Sequence, residues 1–104
     1  MLERLRSGDF MPHLGKTCQL VCGEVVIETV LDSVEEYPLA RHPYASEDSR
    51  VPFMLHLSAS PDCPYSDGIF TLKIAGMNEI RGVYLNRILN ITAVPASVFQ
   101  VIFN

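Results

Sequence analysis

No stretch of the chain approaches the ~20 consecutive apolar residues that a membrane-spanning helix requires. The opening Met1-Leu2-Glu3-Arg4-Leu5-Arg6 alternates charge with apolar residues instead of presenting a signal-peptide core. A cytoplasmic protein with no membrane association is expected. Basic residues are few: the eight are Arg4, Arg6, Lys16, Arg41, Arg50, Lys73, Arg81 and Arg87, which form no stripe or cluster in a chain of formal net charge −4. Phosphate backbones are held by such clusters, so nucleic acid is not an expected partner. Three cysteines, an odd count, argue against a disulfide framework and fit a reducing compartment. Internal repeats, glycine-rich phosphate loops, a serine nucleophile elbow and calcium-loop spacing are all missing. These absences leave no catalytic constellation and imply no cofactor.

What is present is apolar. Hydrophobic residues make up 48% of the 104 and charged residues 19%, enough to offset the entropy of ordering the chain. The length suits one domain over 1–104, with room for a single core. Leu2 and Leu5, three apart, predict one helical turn packed on the rest, ended by Ser7-Gly8-Asp9. Pro12 and Gly15 then frame a tight connector, in which a ring nitrogen of His13 is expected to bond a nearby carbonyl and hold the shape.

Six extended segments follow. Thr17 to Cys22 places Cys18, Leu20 and Cys22 on one face by the two-residue period. Val25 to Val34 is crowded with β-branched residues and reads as a long strand, although an amphipathic helix over Glu24 to Glu36 also fits the pattern. Phe53, Leu55 and Leu57 alternate with Met54, His56 and Ser58. Phe70, Leu72 and Ile74 alternate with Thr71 and Lys73, a short hairpin leads to Ile80–Leu89, and Ser97–Phe103 is apolar on both sides. The last of these should be central or covered. The fold class predicted is mainly β: a small antiparallel barrel or sandwich of about six strands, with a short N-terminal helix across one end.

Leu2, Leu5, Phe10 and Pro12-His13-Leu14-Gly15-Lys16-Thr17 resemble the opening of a small bacterial family of uncharacterised function. Pro52-Phe53, Gly68-Ile69-Phe70-Thr71-Leu72 and the ending Val101-Ile102-Phe103-Asn104 extend the similarity, in order, over nearly the whole chain. Val83-Tyr84-Leu85-Asn86-Arg87 and the cysteines at Cys18 and Cys22 depart from its pattern. The resemblance implies a short accessory protein, often encoded near phage-tail-collar-like proteins, with no assigned catalytic residues.

Among individual side chains, Cys18 and Cys22 lie ~13 Å apart on a strand and cannot share a zinc ion, so they are read as inert thiols. Cys63, in the loop from Ala59 to Gly68, is the one thiol placed where reactivity is conceivable, but the sequence implies no histidine beside it, and it too is read as inert. His42 falls in the longest loop, Tyr37 to Arg50, and His56 on the strand face opposite Phe53, Leu55 and Leu57. Tyr37, Tyr44 and Tyr65 fall in or beside the two loops and form the candidate interaction surface, because amphipathic rings suit a protein contact. The expected function is a non-enzymatic accessory or assembly protein that contacts another protein or itself. Two readings stand beside it: a barrel enclosing a small hydrophobic ligand among Phe53, Leu55, Phe70 and Leu72, and a hydrolase using Cys63 or His13.

Overall fold

The computed structural model describes residues 4–37 and 51–103. His42, Tyr44 and all but the first residue of the Tyr37 to Arg50 loop lie outside them. Six antiparallel strands close into a barrel: β1 (Thr17–Cys22), β2 (Val25–Glu36), β3 (Phe53–Ala59), β4 (Gly68–Ile74), β5 (Ile80–Ile88) and β6 (Ser97–Phe103). Their order around the barrel is β1-β2-β3-β6-β5-β4. Two three-stranded meanders are thus joined by β3 against β6 and β1 against β4, and closure leaves no free edge for the two-sided apolar β6.

Alternation supplies the core. Leu20, Phe53, Leu55, Leu57, Leu72, Leu85 and Phe99 are fully buried, and Cys18, Val83 and Val101 nearly so. Phe53, Leu55, Phe70 and Leu72, the side chains that would have enclosed a ligand, belong to this one packed cluster. Like most small barrels, the interior is filled by its own side chains.

Two strands change which parity points inward, and each does so at a bulge. In β2 the inward residues run Ile27, Thr29, Leu31 and then Val34, because Leu31 pairs with Leu57 while Ser33 pairs with His56, leaving Asp32 as the extra residue. In β5 they run Ile80, Val83, Leu85, because Phe70 pairs with Val83 and Leu72 with Ile80. Gly82 makes that second bulge with φ of 71°, a left-handed conformation that costs glycine little and other residues more. A strict two-residue period would have turned half of each strand inside out.

The helical turn is displaced from where the leucine spacing puts it. Arg6 is extended, and α1 is Ser7–Phe10, followed by a 3-10 turn at Met11–His13. The residues expected to end the helix begin it. The reason is Asp9, whose Oδ2 accepts from the Arg6 backbone N–H at 2.8 Å while its own N–H donates to the Arg6 carbonyl at 3.0 Å, closing the first turn from within. Leu5 does pack on the core, from the extended stretch before the helix.

This turn exists to place Phe10, which is fully buried. Its ring lies 5.7 Å from both Phe53 and Phe103, which stack on each other at 4.7 Å, so three aromatic rings stopper one mouth of the barrel. The connector behind it is held by backbone bonds. Gly15 N–H donates to Leu31 O at 2.8 Å, Lys16 N–H to His13 O at 3.0 Å, and Leu31 N–H to Lys16 O at 3.0 Å, with Gly15 at φ of 79°. His13 Nδ1 makes no carbonyl bond; it is buried without a partner, and the shape expected from the ring comes from the main chain.

The opposite mouth is shut by a cation. Arg87 Nη1 donates to the carbonyls of Cys63 and Tyr65 at 2.7 and 3.1 Å, and Nη2 donates to Ser97 Oγ at 2.8 Å. Its guanidinium carbon sits 6.0 Å from the Phe99 ring centroid, and its backbone N–H donates to Asp67 Oδ1 at 3.1 Å. Arg87 therefore ties the β3–β4 connection, which must cross this end, to the rims of β5 and β6.

Two measurements test this architecture. Phe10→Ala removes the central ring of the stopper and is expected to cost about 3–5 kcal/mol, read from the urea unfolding midpoint. Thiol titration of the native protein should modify exposed Cys22 first and half-buried Cys63 more slowly, with Cys18 reacting only on unfolding. Burial pushes the Cys18 thiol up from its ordinary range, partly countered by a backbone hydrogen bond. The unfolded chain therefore releases this proton first. The stability tied to Cys18 is present below pH ~9 and lost as pH rises through the raised value.

Candidate functional site

The outer surface of β2, β3 and β6 carries a concavity. Asp32, Ser33 and Glu35 of β2, His56 and Ser58 of β3, and Val98 of β6 floor and flank a groove of about 690 Å³. The far wall is the connection between β5 and β6, residues 89–96.

The β2 bulge makes the near side polar. As the extra residue, Asp32 is exposed, and Ser33 beside it meets His56 across the strand pair, with Ser33 Oγ 2.9 Å from His56 Nδ1. Register continues this row through Gln100 to Asn86, so Ser33, His56, Gln100 and Asn86 run side by side across four strands. Asn86 Oδ1, at the end of the row, is buried without a partner. Glu35 stands further along β2 and accepts from the Tyr37 hydroxyl at 2.6 Å. That bond is the main reason the Tyr37 phenol is raised above its ordinary value.

The far wall is apolar and braced. Leu89, Ile91 and Val94 are 82%, 88% and 70% exposed, more than any other large aliphatic side chain among the described residues. Asn90 keeps the segment in shape from inside: its Nδ2 donates to Val94 O at 2.8 Å and Ala96 O at 3.2 Å, while its Oδ1 accepts from Thr92 N–H at 2.9 Å and Thr92 Oγ1 at 2.7 Å. One amide thus satisfies the turn that would otherwise need water or disorder. A loop so held presents its aliphatic groups without first being ordered.

A second cleft of about 580 Å³ opens beside the aromatic stopper, between the N-terminal segment and the β4–β5 connection, with Arg4, Asp9, His13, Glu79 and Arg81 among its lining. Its charges are largely engaged already. Glu79 Oε1 lies 2.6 Å from Arg81 Nη2, with Lys73 at 4.0 Å from its other oxygen, and Asp9 is committed to the helix start.

Tyr37 and Tyr65 lie at opposite mouths of the barrel. Tyr37 donates its N–H to Pro52 O at the end where β2 leaves the barrel, whereas Tyr65 lies in the β3–β4 connection at the opposite mouth, its carbonyl held by Arg87. Tyr44 lies outside the described residues. Pro12, His13 and Gly15 sit together in the connector after α1. Cys63 lies at the other end of the barrel from His13, so the two do not converge. Among the described residues, no three His, Cys, Asp or Glu side chains group closely enough to hold a metal ion. The Ser33–His56 contact has the nucleophile–base separation of an acyl-transfer pair. Among the described residues, no carboxylate bonds His56 to orient it.

The groove is the feature that sequence reasoning missed. The fifth strand ends where the sequence puts it, at Ile88 against an expected Leu89, but apart from Asn90 and Pro95 nothing in Leu89 to Ala96 marks a braced loop that walls a groove. Asn90→Ala should release the brace: amide exchange at Thr92 and its neighbours is expected to rise at least about ten-fold, with global stability changed by no more than about 1 kcal/mol, since the loop is outside the core. Hydrogen–deuterium exchange with mass spectrometry reads the first and urea unfolding the second.

No helix among the described residues is long and apolar enough to cross a membrane. No curated protein and no solved structure matches the chain. A family model described as Domain of unknown function (DUF6916) matches residues 5–103, in line with the similarity to a family without an assigned activity. With nearly its whole length covered, the chain belongs to this family.

Proposed function

We propose that the protein is a non-enzymatic accessory or assembly protein that docks a partner protein through the groove between β2 and the 89–96 loop. The observation that carries this reading is the braced display of Leu89, Ile91 and Val94. Isolated exposed aliphatic residues are ordinary on any surface. Three of them on one internally bonded loop, beside a concavity, have the composition and preorganisation of a binding site. The filled barrel interior favours this over an enclosed small ligand.

In this reading the protein acts in the cytoplasm of a bacterium, and the resemblance to a family encoded beside phage-tail-collar-like proteins supports a partner from a tail-like assembly. The barrel serves as a rigid mount. Tyr37 does not line the groove and reaches it only through the hydrogen bond of its hydroxyl to Glu35. Tyr65 does not line the groove.

A photo-crosslinking amino acid at Ile91 tests the reading in the native host. A discrete adduct is expected there and none at Lys16, and the same adduct should re-form from the purified components once the partner is identified by mass spectrometry. Leu89→Ser, Ile91→Ser and Val94→Ser together should abolish it while leaving the unfolding midpoint within about 1 kcal/mol, because these side chains contribute little to the core. Catalytic turnover lost on Ser33→Ala would overturn the non-enzymatic reading.

A further inference from the structure

The two walls of the groove differ in chemistry. On the β2 side stand the carboxylates of Asp32 and Glu35, and among the described residues no Lys or Arg lines the groove. On the other side stand Ile88, Leu89, Ile91, Val94 and Val98, all aliphatic. The floor between them follows β3 from Ser58 past His56 to the level of Met54, which pairs with Glu35, a run of roughly 13 Å at the rise of an extended chain.

From this division we infer that the groove takes an extended segment of a partner protein in which aliphatic and basic residues alternate. The inference rests on the docking reading above and adds the chemistry of the occupant. Side chains of an extended segment point alternately to opposite sides. A segment lying along the floor therefore sends every second side chain to the aliphatic wall and the others to the carboxylates. Aliphatic residues in the first set bury Leu89, Ile91 and Val94. Lysine or arginine in the second set meets Asp32 and Glu35.

Two other occupants fit the same groove less well. A second copy docked groove to groove would offer, among the described residues, no Lys or Arg to Asp32 and Glu35, leaving both carboxylates without a cation in the contact. An anionic lipid surface would be repelled by those same groups, although the aliphatic loop alone would suit a membrane interface. The acidic wall is what separates a basic peptide from both.

The test uses two peptides of identical composition, acetyl-Leu-Lys-Val-Lys-Leu-Lys-amide and its block isomer acetyl-Leu-Val-Leu-Lys-Lys-Lys-amide, titrated into the full chain and followed by backbone amide shifts. The alternating peptide is expected to shift residues 32–35, 56–58 and 88–98 and to bind at least about five-fold more tightly than the isomer. Asp32→Asn with Glu35→Gln should weaken it roughly ten-fold, the loss of two exposed charge pairs, while Glu24→Gln in the β1–β2 turn leaves it unchanged. Should the double variant fold poorly, raising the ionic strength of the wild-type titration must produce the same weakening.

Equal binding of the two isomers, shifts elsewhere on the barrel, or insensitivity to both the double variant and salt would overturn the inference. So would sedimentation as a dimer whose formation protects the groove, or binding to phosphatidylglycerol vesicles in preference to the peptide. A crosslinked partner at Ile91 combined with any of these results removes the alternation and the charge preference while leaving the docking surface. Loss of the crosslink alone removes the docking reading itself.

Discussion

Closing six strands into a barrel removes every sheet edge but creates two mouths, and an apolar interior stays dry only if both are stoppered. The chain solves the problem twice by different chemistry. At one end Phe10 completes a trio of rings with Phe53 and Phe103. At the other, the connection from β3 to β4 has to cross the opening, and Arg87 gathers its carbonyls together with Ser97 while lying against Phe99. A cation can sit there because it stays partly in water and spends its donors on backbone oxygens that the crossing chain leaves unpaired. Shutting this mouth with residues 60–67 also relieves the neighbouring β5–β6 connection of that duty. That second connection is free to turn outward and form the wall of the groove.

The barrel itself was largely legible in the sequence. Phe53, Leu55 and Leu57 alternate without interruption, as do the residues of β1 and β6; β1 and β6 pair regularly with both of their neighbours, and β3 does so with β6. The long strand over Val25 to Val34 is present and runs two residues further, to Glu36. What alternation could not supply was the pair of bulges. A bulge is a property of two strands, one of which has an extra residue opposite the other, and a single strand read alone has no partner against which to count. Gly82 was the one local trace, a glycine within an otherwise strand-like run. The helix start was misplaced for a related reason: two leucines three apart describe a face, whereas the boundary is decided by the Asp9 carboxylate reaching back to Arg6.

The candidate site was much less legible. Tyr37 and Tyr65 fall in connections that flank β3 on either side, and since a strand separates its two ends by its whole length they belong to opposite mouths, as loops on either side of one strand must. The pair Ser33 and His56 is joined only by register, and Asp32 reaches the groove only because it is the bulged residue. The same insertion that keeps Val34 directed at the core therefore puts two consecutive polar residues on the outer face. One local irregularity serves the core and the groove together, which is a common use of bulges beside binding surfaces.

The loop from Leu89 to Ala96 gives the strongest physical reason to look outside the barrel for its purpose. Each of its exposed aliphatic side chains forgoes the ~1.5–3 kcal/mol that full burial of such a group would contribute, so the fold gains nothing by displaying them. Flexibility would be the simplest way to let them collapse onto the β2–β3 surface nearby. Asn90 prevents this by engaging Thr92, Val94 and Ala96 in one small network, holding the aliphatic groups away from the barrel at the cost of their own burial. A braced loop that opposes its own collapse makes sense when the missing contacts are supplied by another molecule. The entropy of ordering the loop is then already spent before that molecule arrives, and more of the burial energy appears as affinity.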